Sequence, residues 1–160
     1  MFKLYKRDER GQITHYYEVW VEPENRRIIQ HWGALGEQGE ADPHRIKSLK
    51  PLEQQVEDLL RPARELGYSE VDRQEECVLL VEYTVEGFGS LDDLDKRHAL
   101  EERLNEILGW TGLGYCDGGS AGGDTMEAAC FVVDFDLAKT VISDALAGSE
   151  FAGFSRIYRE

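Results

Sequence analysis

Positive charge is scarce in this sequence: 18 Lys and Arg stand against 32 Asp and Glu over 160 residues, for a formal net charge of −14. Long-range electrostatics of that sign repel nucleic acid and anionic membrane surfaces and favour a basic partner. Long apolar runs are missing as well. No window holds the roughly 18 consecutive apolar residues that a membrane helix needs. Met1-Phe2-Lys3-Leu4-Tyr5-Lys6-Arg7-Asp8 turns charged before any stretch that could act as a signal peptide, so a cytosolic, cytoplasmic location is expected. Cys77, Cys116 and Cys130 form no C-x-x-C pair and lie in or beside apolar runs, which points to buried free thiols rather than a disulfide framework or a zinc site. Catalytic patterns are absent too. His15, His31, His44 and His98 are scattered, no serine sits in Gly-x-Ser-x-Gly, and Asp92, Asp93 and Asp95 read as a helix start, not a metal site. No catalytic residue, metal or cofactor is expected.

What is present is the material of a folded protein. Hydrophobic residues at 41% and aromatics at 10% exclude a disordered or collagen-like chain, and the length supports a core without disulfide staples. The charge is uneven: residues 1–76 carry 12 basic and 16 acidic side chains, residues 77–160 carry 6 and 16. Two units are therefore expected, 1–70 and 77–160, joined through the polar stretch Ser69-Glu70-Val71-Asp72-Arg73-Gln74-Glu75-Glu76.

In the first unit, Phe2–Lys6, Ile13–Val21 and Arg27–Trp32 read as strands rich in aromatic and β-branched residues, separated by polar turns, with a fourth strand expected at His44–Leu49. Pro51 opens a helix whose Leu52, Val56, Leu59, Leu60 and Ala63 share one face, and Pro62 is expected to kink or break it. Gly67-Tyr68 ends the pattern. The third strand runs into Trp32-Gly33-Ala34-Leu35-Gly36-Glu37-Gln38-Gly39-Glu40, with glycines at steps of three.

The Trp-Gly pair, the glycines at 33, 36 and 39, and the helix closing in Gly-Tyr resemble the WGR domain over about residues 1–70. The resemblance implies a small twisted sheet with a helix across it, a module that binds nucleic acid and neighbouring domains in DNA-break-dependent ADP-ribosylating polymerases. Ala34 stands where that family has Arg, and Glu40 where it usually has Gln. A methyl group in place of a cation and an added anion both work against phosphate binding. Trp32, Gly33, Gly36 and Gly39, with Arg26 and Arg27 as a basic patch beside Lys47 and Lys50, are the candidate binding residues of this unit.

The second unit reads as βαββαβ: strand Cys77–Glu86, a helix from Asp92–Asp95 through Leu108, short strand Tyr115–Asp117, glycine-rich connector Gly118–Gly123, strand Met126–Phe135, a helix capped by Asp136 and strand Ser155–Tyr158. That order is the ferredoxin-like split βαβ, so the fold class expected for the whole chain is α+β, a WGR-like sheet with one helix followed by a ferredoxin-like domain. RNA-recognition domains share the order but expose a basic, aromatic segment that Val78–Tyr83 and Ala128–Asp134 lack. Asp117 and Asp124 flank the glycine run at a spacing that suits neither a phosphate loop nor a calcium loop; the run reads as a flexible hairpin loop, whose length and exposure make it a candidate partner-contact surface.

The function expected is that of a non-enzymatic acidic binding protein whose partner is a protein with a basic surface, an immunity or antitoxin role being one specific form. Two alternatives come from other classes. One is a nucleic-acid-binding module acting through Trp32 and the Arg26/Arg27 region; the other is a small-molecule sensor using the Gly87-Phe88-Gly89-Ser90 loop and a dimerised sheet.

Overall fold

The structure, a computed structural model, describes residues 1–85 and 91–160. The fold is α+β, with two antiparallel four-stranded sheets in two compact units, Met1–Asp72 and Arg73–Glu160.

The first unit is a meander of β1 (Phe2–Arg7), β2 (Ile13–Glu22), β3 (Arg27–Ala34) and β4 (Glu40–Arg45), hydrogen-bonded in chain order. Alternation places Leu4, Tyr17, Val19 and Ile28 on one face, where α1 (Leu52–Glu65) lays Val56, Leu60 and Ala63 against them. Trp32 and Tyr68 pack partly buried on the same core, Trp32 stacked on Tyr17 at 6.5 Å and Tyr68 edge-on to Tyr17 at 5.9 Å. The fourth strand lies earlier than expected: it is Glu40–Arg45, not His44–Leu49. As an edge strand with Pro43 in it and little burial, it shows no apolar alternation for the eye to follow. Pro62 does not break α1, which runs on to Glu65 because Leu60 and Ala63 remain seated on the sheet. Near it the Leu59 carbonyl accepts a 2.6 Å hydrogen bond from the Tyr17 hydroxyl, a side-chain tie between helix and sheet.

The second unit runs β5 (Cys77–Thr84), α2 (Leu91–Trp110), β6 (Gly114–Gly122), β7 (Thr125–Val132), α3 (Phe135–Leu146) and β8 (Arg156–Arg159), with sheet order β6-β7-β5-β8. This is the βαββαβ arrangement, with the first and third strands central. Leu79 and Val81 of β5 and Ala128, Cys130 and Val132 of β7 are buried with Leu100, Leu104 and Leu108 of α2 and Ile142 and Leu146 of α3. Cys116 and Cys130 face each other across β6 and β7 as free, buried thiols, whereas Cys77 is half-buried. The adjacent Cys116 sulfur, followed by burial, pushes the Cys130 thiol up.

Two expectations for this unit are corrected. Gly118–Gly123 is not a free connector: most of it belongs to β6, with a bulge between Cys116 and Gly119, and a side chain at Gly119 would run into the Glu127 carbonyl. Glycine here permits close strand approach rather than mobility. The cap of α3 is Asp134, whose carboxylate accepts from the Leu137 amide at 3.0 Å, leaving Asp136 in the first turn.

Gly39 tests this packing. Its φ is +66°, and a Cβ there would overlap the Trp32 carbonyl and the Tyr16 hydroxyl, whereas Gly11, at φ +80°, faces open space. Gly39→Ala is expected to cost about 3 kcal/mol or more and Gly11→Ala about 1 kcal/mol, read by denaturant unfolding. Equal losses at the two positions would contradict the packing.

Candidate functional site

The Trp32–Gly39 segment is held by a buried polar network that runs from β2 to β3. Register sets Glu18 opposite His31. His31 Nδ1 lies 2.6 Å from Glu18 Oε1 and Nε2 lies 2.6 Å from the Gln38 carbonyl, an acceptor at each ring nitrogen. The Tyr16 hydroxyl donates to the Glu37 carbonyl at 2.8 Å and stands 3.2 Å from His31 Nε2. Burial first, then the Glu18 and Glu37 carboxylates, push the Tyr16 phenol up. A carboxylate, imidazole and phenol in line have the composition of an acid–base relay, yet Glu18, His31 and Tyr16 are all at most 3% exposed. The set works as a lock. Gly33 and Gly39 exist to let it close: a Cβ on Gly33 would come 2.7 Å from Gly39 Cα and 2.9 Å from the Tyr16 oxygen. Gly36 turns the segment with φ +88°.

Trp32 and the basic residues do not form one site. Arg27 and Trp32 lie five residues apart on β3, about 17 Å at roughly 3.3 Å per residue. Arg27 pairs with Arg45, at the end where the Ile46 amide bonds the Arg26 carbonyl at 3.0 Å. There, Arg26, His44, Arg45, Lys47 and Ser48 line a cleft of about 610 Å³. A smaller recess beside it is lined by Lys50, Gln55 and Asp58 among others. Several cations nearby are already engaged: Arg27 with Glu22 at 2.6 Å, Arg61 with Asp58 at 3.1 Å, and Lys50 with Asp58. Among the described residues Arg26, Arg45 and Lys47 have no carboxylate partner in a salt bridge.

No protein-family model, curated protein or solved structure matches the chain.

In the second unit, Tyr83, Val85, Asp93, Lys96, Met126, Glu150 and Phe151 are among the residues lining a cleft of about 580 Å³. Tyr83, Met126 and Phe151 share its wall with polar groups, and it carries two carboxylates against one ammonium group. Tyr83 donates to the Phe151 carbonyl at 2.6 Å, and burial pushes its phenol up to about 12, so the ring is a fixed neutral surface at physiological pH. Asp117 and Asp124, both exposed, stand on β6 and in the turn before β7, and the Asp124 carbonyl accepts from the Val85 amide at 2.8 Å, next to this cleft. On the sheet's other face Tyr115 stacks on Phe131 at 5.4 Å, and Arg156 holds Glu82 through two hydrogen bonds of 3.0 and 2.8 Å, which keeps that carboxyl below its ordinary range. The Gly87-Phe88-Gly89-Ser90 loop considered for ligand sensing lies outside the described residues. Among the described residues no three His, Cys, Asp or Glu side chains gather as a metal-binding group, and no helix is long and apolar enough to cross a membrane.

Asp58 reports the electrostatics beside the cationic cleft. Its hydrogen bond with Lys50, then that with Gln54, lowers its carboxyl from 3.8 to about 2. With the folded value below the unfolded one, its contribution to stability is complete above about pH 4 and is lost as the pH falls toward 2. Lys50→Ala is expected to return the Asp58 midpoint toward the ordinary range in a carboxyl-carbon NMR titration; an unchanged midpoint would contradict the assignment.

Proposed function

We propose that this protein is a non-enzymatic acidic binding protein that recognises a protein partner with a basic surface through the cleft of its second unit. The observation that carries this reading is the joint lining of that cleft by Asp93 and Glu150 with Tyr83, Met126 and Phe151. A Lys or Arg side chain has the complementary anatomy, an aliphatic stem for the aromatic and thioether wall and a cationic head for the carboxylates. The net charge of −14 steers such a partner toward the chain from a distance, and the cleft supplies the local fit. An immunity or antitoxin role, in which the protein blocks a cationic cleft on its partner, is the specific form of this reading and rests on charge sign. Three free cysteines agree with a reducing, cytosolic compartment.

For the first unit we propose kinship with WGR domains. A four-stranded sheet crossed by one helix, with the spaced glycines closing on Tyr16, supports it. Trp32 there packs on the helix-facing core and is not an open stacking platform.

A labelled oligolysine peptide, with oligoglutamate as control, tests the main reading. Chemical-shift changes are expected to concentrate on Val85, Met126 and Phe151, with about fivefold weaker binding for Glu150→Gln and tighter binding for Lys96→Gln. Shifts spread evenly over all exposed carboxylates, with neither variant changing affinity, would overturn it.

A further inference from the structure

We propose that the cleft lined by Arg26, His44, Arg45, Lys47 and Ser48 is a binding site for the phosphate monoester of a small molecule. Three observations lead there independently. Carboxylates outnumber cations nearly two to one in this chain, yet Arg26 from one turn and Arg45 and Lys47 from the stretch that ends β4 reach one cleft without a salt-bridge partner among the described residues. Cations gathered without an anion repel one another, and an incoming dianion relieves that repulsion while accepting the charge-assisted hydrogen bonds that arginine forks and lysine donate.

Arg26 itself is the second observation. It is the one non-glycine residue with positive φ among the described residues, at +52°, in the turn between β2 and β3. Glycine or asparagine suits such a position better, and arginine adds nothing to the turn that glycine lacks except its guanidinium. Strained residues of this kind cluster at ligand clamps.

Third, the loop that presents Lys47 is built in advance. Gln55 of α1, 8% exposed, accepts from the Lys47 amide at 2.8 Å and donates to the Lys47 and Lys50 carbonyls at 3.0 and 2.8 Å. A buried amide spent on three backbone bonds fixes the loop before any ligand arrives, which lowers the ordering cost of binding.

Size and surroundings select a small ligand over a polyanion. The cleft volume of about 610 Å³ falls in the range of small-molecule sites. Glu22 beside Arg27, Asp42 beside His44 and Asp58 beside Lys50 stand around it, and a nucleic-acid strand laid across the rim would meet these carboxylates. A single phosphate bonded to Arg26, Arg45 and Lys47 meets the cations directly, while the acids elsewhere on the chain lie beyond the roughly 8 Å over which charge is felt at physiological salt.

The test is an NMR titration of the whole chain at low salt with inorganic phosphate, ribose 5-phosphate and a 5′-phosphorylated DNA duplex. Saturable shifts at the amides of residues 26, 45, 47 and 48 are expected with both small probes, and Arg45→Gln, Lys47→Gln and Arg26→Gly should each weaken binding about fivefold. Arg26→Gly should melt no lower than the parent, which separates loss of the ligand contact from loss of fold. Shifts that never saturate, or affinity untouched by Arg45→Gln and Lys47→Gln, would overturn the site. Duplex binding through these residues without binding of the small probes would also overturn it, in favour of a nucleic-acid interface.

Discussion

This chain holds 32 carboxylates against 18 cations, so many a Lys or Arg has an acidic neighbour within reach. Arg27, Lys50, Arg61, Arg64, Arg97, Arg103 and Arg156 all take one. Exposed pairs of this kind contribute little to stability, but they remove a cation from any other use. The fold thereby sorts charge into two kinds of surface. One end of the first sheet collects cations that remain uncommitted, and the second unit sets two acids against one ammonium around a cleft with aromatic rings in its wall. Screening over about 8 Å lets both coexist in one chain, since each cleft senses its own lining more than the total.

The polar lock between β2 and β3 makes the first of these surfaces usable. Glu18, His31 and Tyr16 are buried at a cost that only complete hydrogen bonding offsets: Glu18 is met by His31 and the Lys3 ammonium, and Tyr16 and His31 bond the backbone carbonyls of Glu37 and Gln38. The segment after Trp32 is thus folded back onto the sheet, and β4 follows it into register with β3, which carries Arg45 to Arg27 and the following loop to Arg26. Glycines at 33 and 39 are steric requirements of that return. In this chain they are accounted for by closeness to Tyr16, with no ligand needed to explain them.

Much of the fold was legible because period-two and helical patterns mark half-buried strands and amphipathic helices, as in Tyr17 and Val19 or in Val56, Leu60 and Ala63. Legibility failed where burial is low or side chains are missing. Glu40–Arg45 is an edge strand without an apolar face, and the glycines of β6 read as a loop because they carry no side chain to alternate. The α3 cap shifted by two residues, since Asp134 and Asp136 are chemically equivalent in a sequence and only the backbone angle at Asp134 decides between them. Sites were harder. Arg26, Arg27, Lys47 and Lys50 were visible as a basic set, but Arg45 joins them through strand register, and the cleft of Tyr83, Asp93 and Glu150 gathers three distant segments that no local pattern connects.

A crossed comparison of two double variants, Asp93→Asn/Glu150→Gln and Arg45→Gln/Lys47→Gln, each titrated with oligolysine and with inorganic phosphate, tests the separation of charge most directly. The first variant is expected to lose oligolysine affinity and keep that for phosphate, and the second to do the reverse. Losses that appear together in either variant, or in neither, would show that total charge and not local geometry governs what this protein binds.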